Sequence, residues 1–213
     1  PGHRWSPQRL SVPRDVRPTF IPAALAGFAG FAVMGLSTAV SPAFLGRVGV
    51  TNDIVVGLVV FGVFGASTVG QLFLEIVPRD RAVPIGCLGL IVGMALLAVG
   101  LDESSLGLLV AGALLAGAGQ GLSFRAALAA VNQAAPAQQR AQVASSFFVV
   151  AYLAISIPVI GEGVLAQAAG LQTAGIVFAG LVAALAGVVV AILLVGGKKL
   201  PAEASELCLA ASK

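Results

Sequence analysis

A chain of 213 residues in which 58% are hydrophobic and only 10% charged cannot cover a core with a hydrated surface. Soluble domains carry about a quarter charged residues, so the expected solvent of this chain is lipid. Its net charge of +3 comes from basic residues scattered through tails and short connections, without a basic face or aromatic platform, which argues against nucleic acid as a partner.

Residues 1–18 are polar, with Arg4, Arg9, Arg14 and Arg17 set among Pro7, Pro13 and Pro18, and read as a cytoplasmic linker or tail. The start, Pro1-Gly2-His3-Arg4-Trp5, has no initiator methionine and no signal-peptide order behind it, so the chain is expected to be part of a longer polypeptide. Six apolar stretches follow, at about 20–45, 54–77, 83–101, 106–131, 142–166 and 172–196. Each is long enough to cross a hydrocarbon core of about 30 Å at roughly 1.5 Å per residue. In lipid each must be a helix, because only a helix satisfies its backbone polar groups within one segment. The bundle therefore takes 19–197, and 198–213, opening on Lys198-Lys199, forms a second cytoplasmic tail.

Lysine and arginine counts orient the spans. With the N-terminal tail in the cytoplasm, that side also holds Arg79, Arg81, Arg140, Lys198, Lys199 and Lys213, whereas the other side holds Arg47 alone with Asp53, Asp102 and Glu103. The expectation is a multi-pass protein of the plasma (inner) membrane with both termini inside. Cys87 opens an apolar run and Cys208 lies in the tail, so the two read as inert thiols.

Glycines recur at three- to five-residue spacing, as in Gly27, Gly30 and Gly35, in Gly57, Gly62, Gly65 and Gly70, and in Gly112, Gly117, Gly119 and Gly121. Such spacing lets membrane helices approach closely. "MGLS" (Met34–Ser37) in the first span matches "QGLS" (Gln120–Ser123) in the fourth, and the same offset carries 54–77 onto 140–163. Three spans separate the copies, so the repeats have opposite membrane topology, an arrangement found in transporters.

In "FAGFAVMGLSTAVSPAFL" (Phe28–Leu45), in "GQGLSFRAALAAVNQAAPAQQRAQVASSFFVVAYLAISIPVIGEGVL" (Gly119–Leu165) and in the basic segment 1–18, the chain resembles the C-terminal six-helix half of a major facilitator superfamily (MFS) transporter, of the bacterial efflux-like kind. The resemblance implies an all-α membrane fold of six transmembrane helices, arranged as two inverted three-helix repeats. It also implies a counterpart of the family's cytoplasmic glycine–aspartate–arginine signature in Gly70, Leu72, Arg79, Arg81 and Gly86, with Pro78 intruding and Glu75 out of register.

Polar residues within spans are costly and mark function by default. At about 100° per residue, Thr68, Gln71 and Glu75 fall within roughly 60° of one another, and Gln142, Ser145, Tyr152 and Ser156 within about 80°. These stripes are candidate walls of a water-filled substrate cavity, with helix–helix hydrogen bonding as the alternative. Gln120 and Ser123, about 60° apart near mid-membrane, are further substrate-facing candidates. Glu162, after Pro158 and between Gly161 and Gly163, reads either as an interfacial carboxylate or as an outer gate or proton carrier. Arg125 lies about six residues from the inner end of its span, roughly 9 Å deep. Its long stem can snorkel to the interface, it can form an inner-gate ion pair with Glu75, or it can contact substrate directly. Val189 in the sixth span is expected to face lipid.

The functional expectation is transport of small organic solutes by alternating access, in the manner of proton-coupled efflux. The partners implied are a small-molecule substrate, the lipid bilayer and a missing N-terminal six-helix half. No cofactor or metal is expected. Nor is an enzyme, since no span contains a histidine or aspartate to act as a base. The alternative is a six-helix membrane scaffold or regulator that does not transport and acts as a homodimer.

Overall fold

Proline at residue 18 suits a first helical turn, where its missing N–H has no intrahelical partner in any case, and there the first helix begins. The computed structural model describes residues 11–195; residues 1–10 of the first expected tail and the whole of the second, 198–213 with Cys208, lie outside the described residues. Seven helices follow in order: α1 (Arg17–Ala39), α2 (Ser41–Arg47), α3 (Asp53–Leu72), α4 (Arg79–Asp102), α5 (Leu106–Ala134), α6 (Arg140–Ala169) and α7 (Leu171–Val195). Short 3-10 turns, Phe73–Glu75 and Ala137–Gln139, follow α3 and precede α6. There is no strand among the described residues.

Local chemistry sets the ends. Asn52 caps α3 by accepting the Ile54 N–H at 2.9 Å, and Ser105 caps α5 by accepting that of Leu108 at 3.5 Å. Gly170, at φ +87°, supplies the left-handed residue that ends α6 and lets α7 begin at once. The expected first span, 20–45, is divided. Pro42 cannot donate to the carbonyl four residues back, so α1 stops at Ala39 and α2 starts afresh. Just before the break, Thr38 turns its hydroxyl onto the Gly35 carbonyl at 2.9 Å and Ser37 onto that of Val33 at 2.9 Å.

Six helices, all but α2, are long and apolar enough to cross a membrane. Large apolar side chains stand bare on the outside, among them Ile54, Leu58, Phe61, Tyr152, Ile160, Val164 and Leu181. Such a surface is unfavourable in water and suited to hydrocarbon. The six apolar helices are thus consistent with a multi-pass membrane protein.

α1 and α5 form the middle of the bundle. Along α1, Ala23, Ala26, Ala29 and Ala32 are wholly covered. α3 packs chiefly on α5, α6 chiefly on α1, and α4 on both α5 and α7. Small residues make the tightest seams. A Cβ added to Gly112 of α5 would lie 2.7 Å from the Gly93 carbonyl oxygen of α4, and one on Gly119 would lie 2.6 Å from that of Gly86. On the other side of α5, a Cβ on Gly117 would meet the Val63 carbonyl oxygen at 2.6 Å. Gly121 lies just as tightly against Ser67 and Gly70 against Ala118. The expected role of these glycines in close helix approach is what the packing shows. Gly57 and Gly65, by contrast, face open space. Val189 is fully buried, not lipid-facing, because α7 turns that side toward α4 and α1.

Candidate functional site

Between α1, α3, α5 and α6 lies a cavity of about 340 Å3 with a mixed wall. Its polar groups come from Thr38, Ser67, Gln71 and Gln120, and its apolar wall includes Phe31, Phe64, Phe124 and Ile155. Gln120 is buried within the bundle, and Gly30 of α1 makes room for it, since a Cβ there would lie 2.7 Å from its Cγ. Ser67 donates its hydroxyl to Gln120 Oε1 at 2.6 Å, which ties α3 to α5 at the cavity wall. With the oxygen so engaged, the side-chain N–H groups of Gln120 remain as donors for a solute. Phe124 meets Phe31 edge to face at 5.1 Å and belongs to an aromatic cluster with Phe147 and Phe148. The cavity therefore offers a few hydrogen-bonding groups against rigid rings, the usual make-up of a small-molecule site.

Toward the α3–α4 connection, Arg125 reaches across from α5. Its Nη2 donates to Glu75 Oε1 at 2.8 Å and its Nη1 to the Gln71 carbonyl oxygen at 2.7 Å. The α-helical pattern of α3 stops at Leu72, where the Phe73 N–H turns back onto the carbonyls of Val69 and Gln71, and Arg125 adds a second donor to the Gln71 carbonyl. Arg125 thus caps the C-terminus of α3 with a positive charge, where the helix dipole favours one. The ion pair with Glu75, one of the three readings of Arg125, is formed. The pair is half open to solvent, with the two side chains 39% and 69% exposed, and a cavity of about 340 Å3 lined by Leu74–Arg79 opens beside it.

The expected residues do not all converge. Gln71 and Gln120 line the polar cavity together. Ser123 is buried beneath it, with its hydroxyl on the Gln120 carbonyl at 3.1 Å. Thr68 lies on the exposed side of α3 and bonds its own helix at Phe64, and the 3-10 turn takes Glu75 out of the helical register that placed it with Gln71. On α6, Ser145 and Ser156 return their hydroxyls to the carbonyls of Ala141 and Tyr152, and Tyr152 is exposed. That stripe, with Gln142, lies outside the residues that line the cavity; Ile155 represents α6 there.

Glu162 corrects the expectation of an interfacial carboxylate. It is 4% exposed, and neither carboxylate oxygen has a hydrogen-bond partner among the described residues. It sits about seven residues from the end of α6, roughly 10 Å along the helix axis. A second cavity, of about 430 Å3, lies here between α1, α6 and α7.

Ser67, Thr38 and Phe124 were not among the expected residues. Ser67 had a signal: it precedes Gly70 by three residues, on the glycine face of α3 that packs on α5. No family model matches the chain, and no curated protein matches it in sequence.

Proposed function

We propose that this chain is one half of a secondary transporter of the major facilitator type. It would move small organic solutes by alternating access in the direction of efflux, coupled to a proton gradient. The observation that carries the reading is the cavity lined by Ser67, Gln71, Gln120 and Phe124, set among four spans. Two further features agree with it. The second span, α3, packs on α5, and the fifth, α6, packs on α1, so each presumptive repeat lends its second helix to the other's first, as paired inverted repeats would. The outward surfaces of α3 and α6, with Phe61, Phe64, Phe148 and Tyr152 exposed, offer ground for a second six-helix bundle. On this reading both termini are cytoplasmic in the plasma membrane, and the Arg125–Glu75 pair is an inner gate that closes the cavity.

The test uses everted membrane vesicles that contain the full polypeptide bearing this chain, energised with a proton gradient and offered a panel of fluorescent organic solutes. Gradient-driven accumulation of at least one solute, lowered at least tenfold by Gln120→Leu at equal protein level, supports transport through this cavity. Absence of gradient-driven movement across the panel speaks for the homodimeric scaffold.

A further inference from the structure

The cavity between α1, α6 and α7 differs from the polar one in a way that identifies its ligand. Glu162 is the sole ionisable side chain among the residues that line it, and the rest are apolar or small, with Phe28, Ile157, Phe178 and Leu185 forming much of the wall. The space exists because Ala29, Ala32, Gly161 and Ala174 stand where larger side chains would fill it, and a Cβ on Gly161 would touch nothing. Pro158, one turn before Glu162, removes a helical hydrogen bond at the same place. Its mouth is edged by Ile157, Val177 and Leu181, all exposed and apolar, so in a bilayer it opens sideways to hydrocarbon.

A carboxyl group almost wholly buried, with no hydrogen-bond donor or counter-charge among the described residues, either holds a proton or takes a cation. A protonated amine delivers the second together with a proton to share. A metal ion is excluded by the donor set, because hard cations need several oxygen ligands and this site has one carboxyl group. An organic cation that brings its own apolar body satisfies both the charge and the walls. The volume, about 430 Å3, lies within the range of small-molecule sites.

We propose that the α1–α6–α7 cavity is a lateral binding site for a lipophilic amine, entered from the bilayer, with Glu162 as its counter-ion and separate from the polar cavity between α1, α3, α5 and α6. The proposal concerns binding and stands whether or not the chain transports.

The full polypeptide in lipid nanodiscs is titrated with tritiated N,N-dimethyl-3,3-diphenylpropylamine, and with the uncharged 3,3-diphenylpropyl methyl ether as its control. Saturable binding is expected for the amine and at least tenfold weaker binding for the ether. Glu162→Gln lowers amine affinity at least tenfold and leaves the ether unchanged. Gly161→Trp, which fills the cavity and keeps the carboxylate, abolishes saturable amine binding. Should Glu162→Gln fail to fold, Glu162→Asp retains the preference for amine over ether. Equal binding of amine and ether, amine affinity indifferent to Glu162→Gln, or no saturable binding at all overturns the site. Loss of amine binding in Gln120→Leu but not in Glu162→Gln would move the ligand to the polar cavity and overturn it too.

Discussion

Glu75 stands 69% exposed with its carboxylate 2.8 Å from a guanidinium, whereas Glu162 is 4% exposed with neither oxygen partnered. Both are glutamates of one apolar bundle, yet they lie toward opposite ends of it, near the α3–α4 turn and near the α6–α7 turn. The difference comes from the helix each one meets. α5 brings Arg125 to the frayed end of α3, and the same arginine that neutralises Glu75 also caps the helix. Around Glu162, α1 and α7 bring only aliphatic, aromatic and small side chains. An ion pair in partial contact with water contributes little to stability and can open at little cost. A lone buried carboxylate lowers stability, so its place in the bundle points to function rather than to holding the fold together.

The comparison can be broken most decisively by topology. A cysteine at Gln167, an exposed residue near the far end of α6, is expected to react with a membrane-impermeant thiol reagent in intact cells, and one at Glu75 only after the membrane is permeabilised, an all-or-none result. Labelling of both from one side would dismantle the six-span arrangement and the contrast built on it.

The next largest effect belongs to the pair. Arg125→Ala is expected to lower transport at least tenfold, and adding Glu75→Gln to restore part of the loss, which a double-mutant cycle on transport rate measures. Arg125→Lys is expected to lose several-fold, since a single ammonium cannot reproduce the fork that spans the Glu75 carboxylate and the Gln71 carbonyl. A fully active Arg125→Lys, with additive losses in the cycle, would return Arg125 to snorkelling.

Stability separates the two glutamates by sign. Glu162→Leu replaces an unpartnered buried carboxyl with an apolar group of similar size and is expected to stabilise the fold by about 1–3 kcal/mol. For a chain of this size, thermal unfolding in detergent should show this as a gain of roughly 2–4 °C in Tm per kcal/mol. A fall in Tm would mean that Glu162 has a structural partner. Glu75→Gln, at the exposed pair, is expected to cost less than about 1 kcal/mol. The smallest effect is its salt dependence: near 1 M salt, where the screening length is about 3 Å, the Tm difference between wild type and Glu75→Gln should shrink.

The six spans were legible because length and hydropathy suffice to define a membrane helix, and their ends fell within a few residues of the caps at Asn52 and Ser105. The break before Pro42 was not read, because apolarity on both sides of it suggested one continuous span. The Arg125–Glu75 pair stood as one of three readings of that arginine. A helical wheel tells which residues share a face but not which neighbour that face meets. Glu162 read as interfacial or gating, and it lies buried beside residues of α1 and α7; the Tyr152 stripe lies on the exposed side of α6, while Ile155 of the same helix lines the cavity. Thr68 was preferred over Ser67 for the same reason: one residue, about 100° of rotation, separates an exposed hydroxyl from one bonded to Gln120.

The seam between α3 and α5 has a mechanical meaning. Gly70, Gly117 and Gly121 lie against the backbone of the opposite helix with no side chain between, and Ser67–Gln120 pins the middle. Sliding one helix past the other would break the Ser67–Gln120 bond and force backbones already in contact at Gly70, Gly117 and Gly121 past one another. The two helices must therefore travel as one beam, and any rocking of the bundle has to be taken up elsewhere. The natural places are the loosely packed stretch of α6 from Pro158 to Gly163 and the one-residue joint at Gly170, where a glycine Cβ would meet no neighbour.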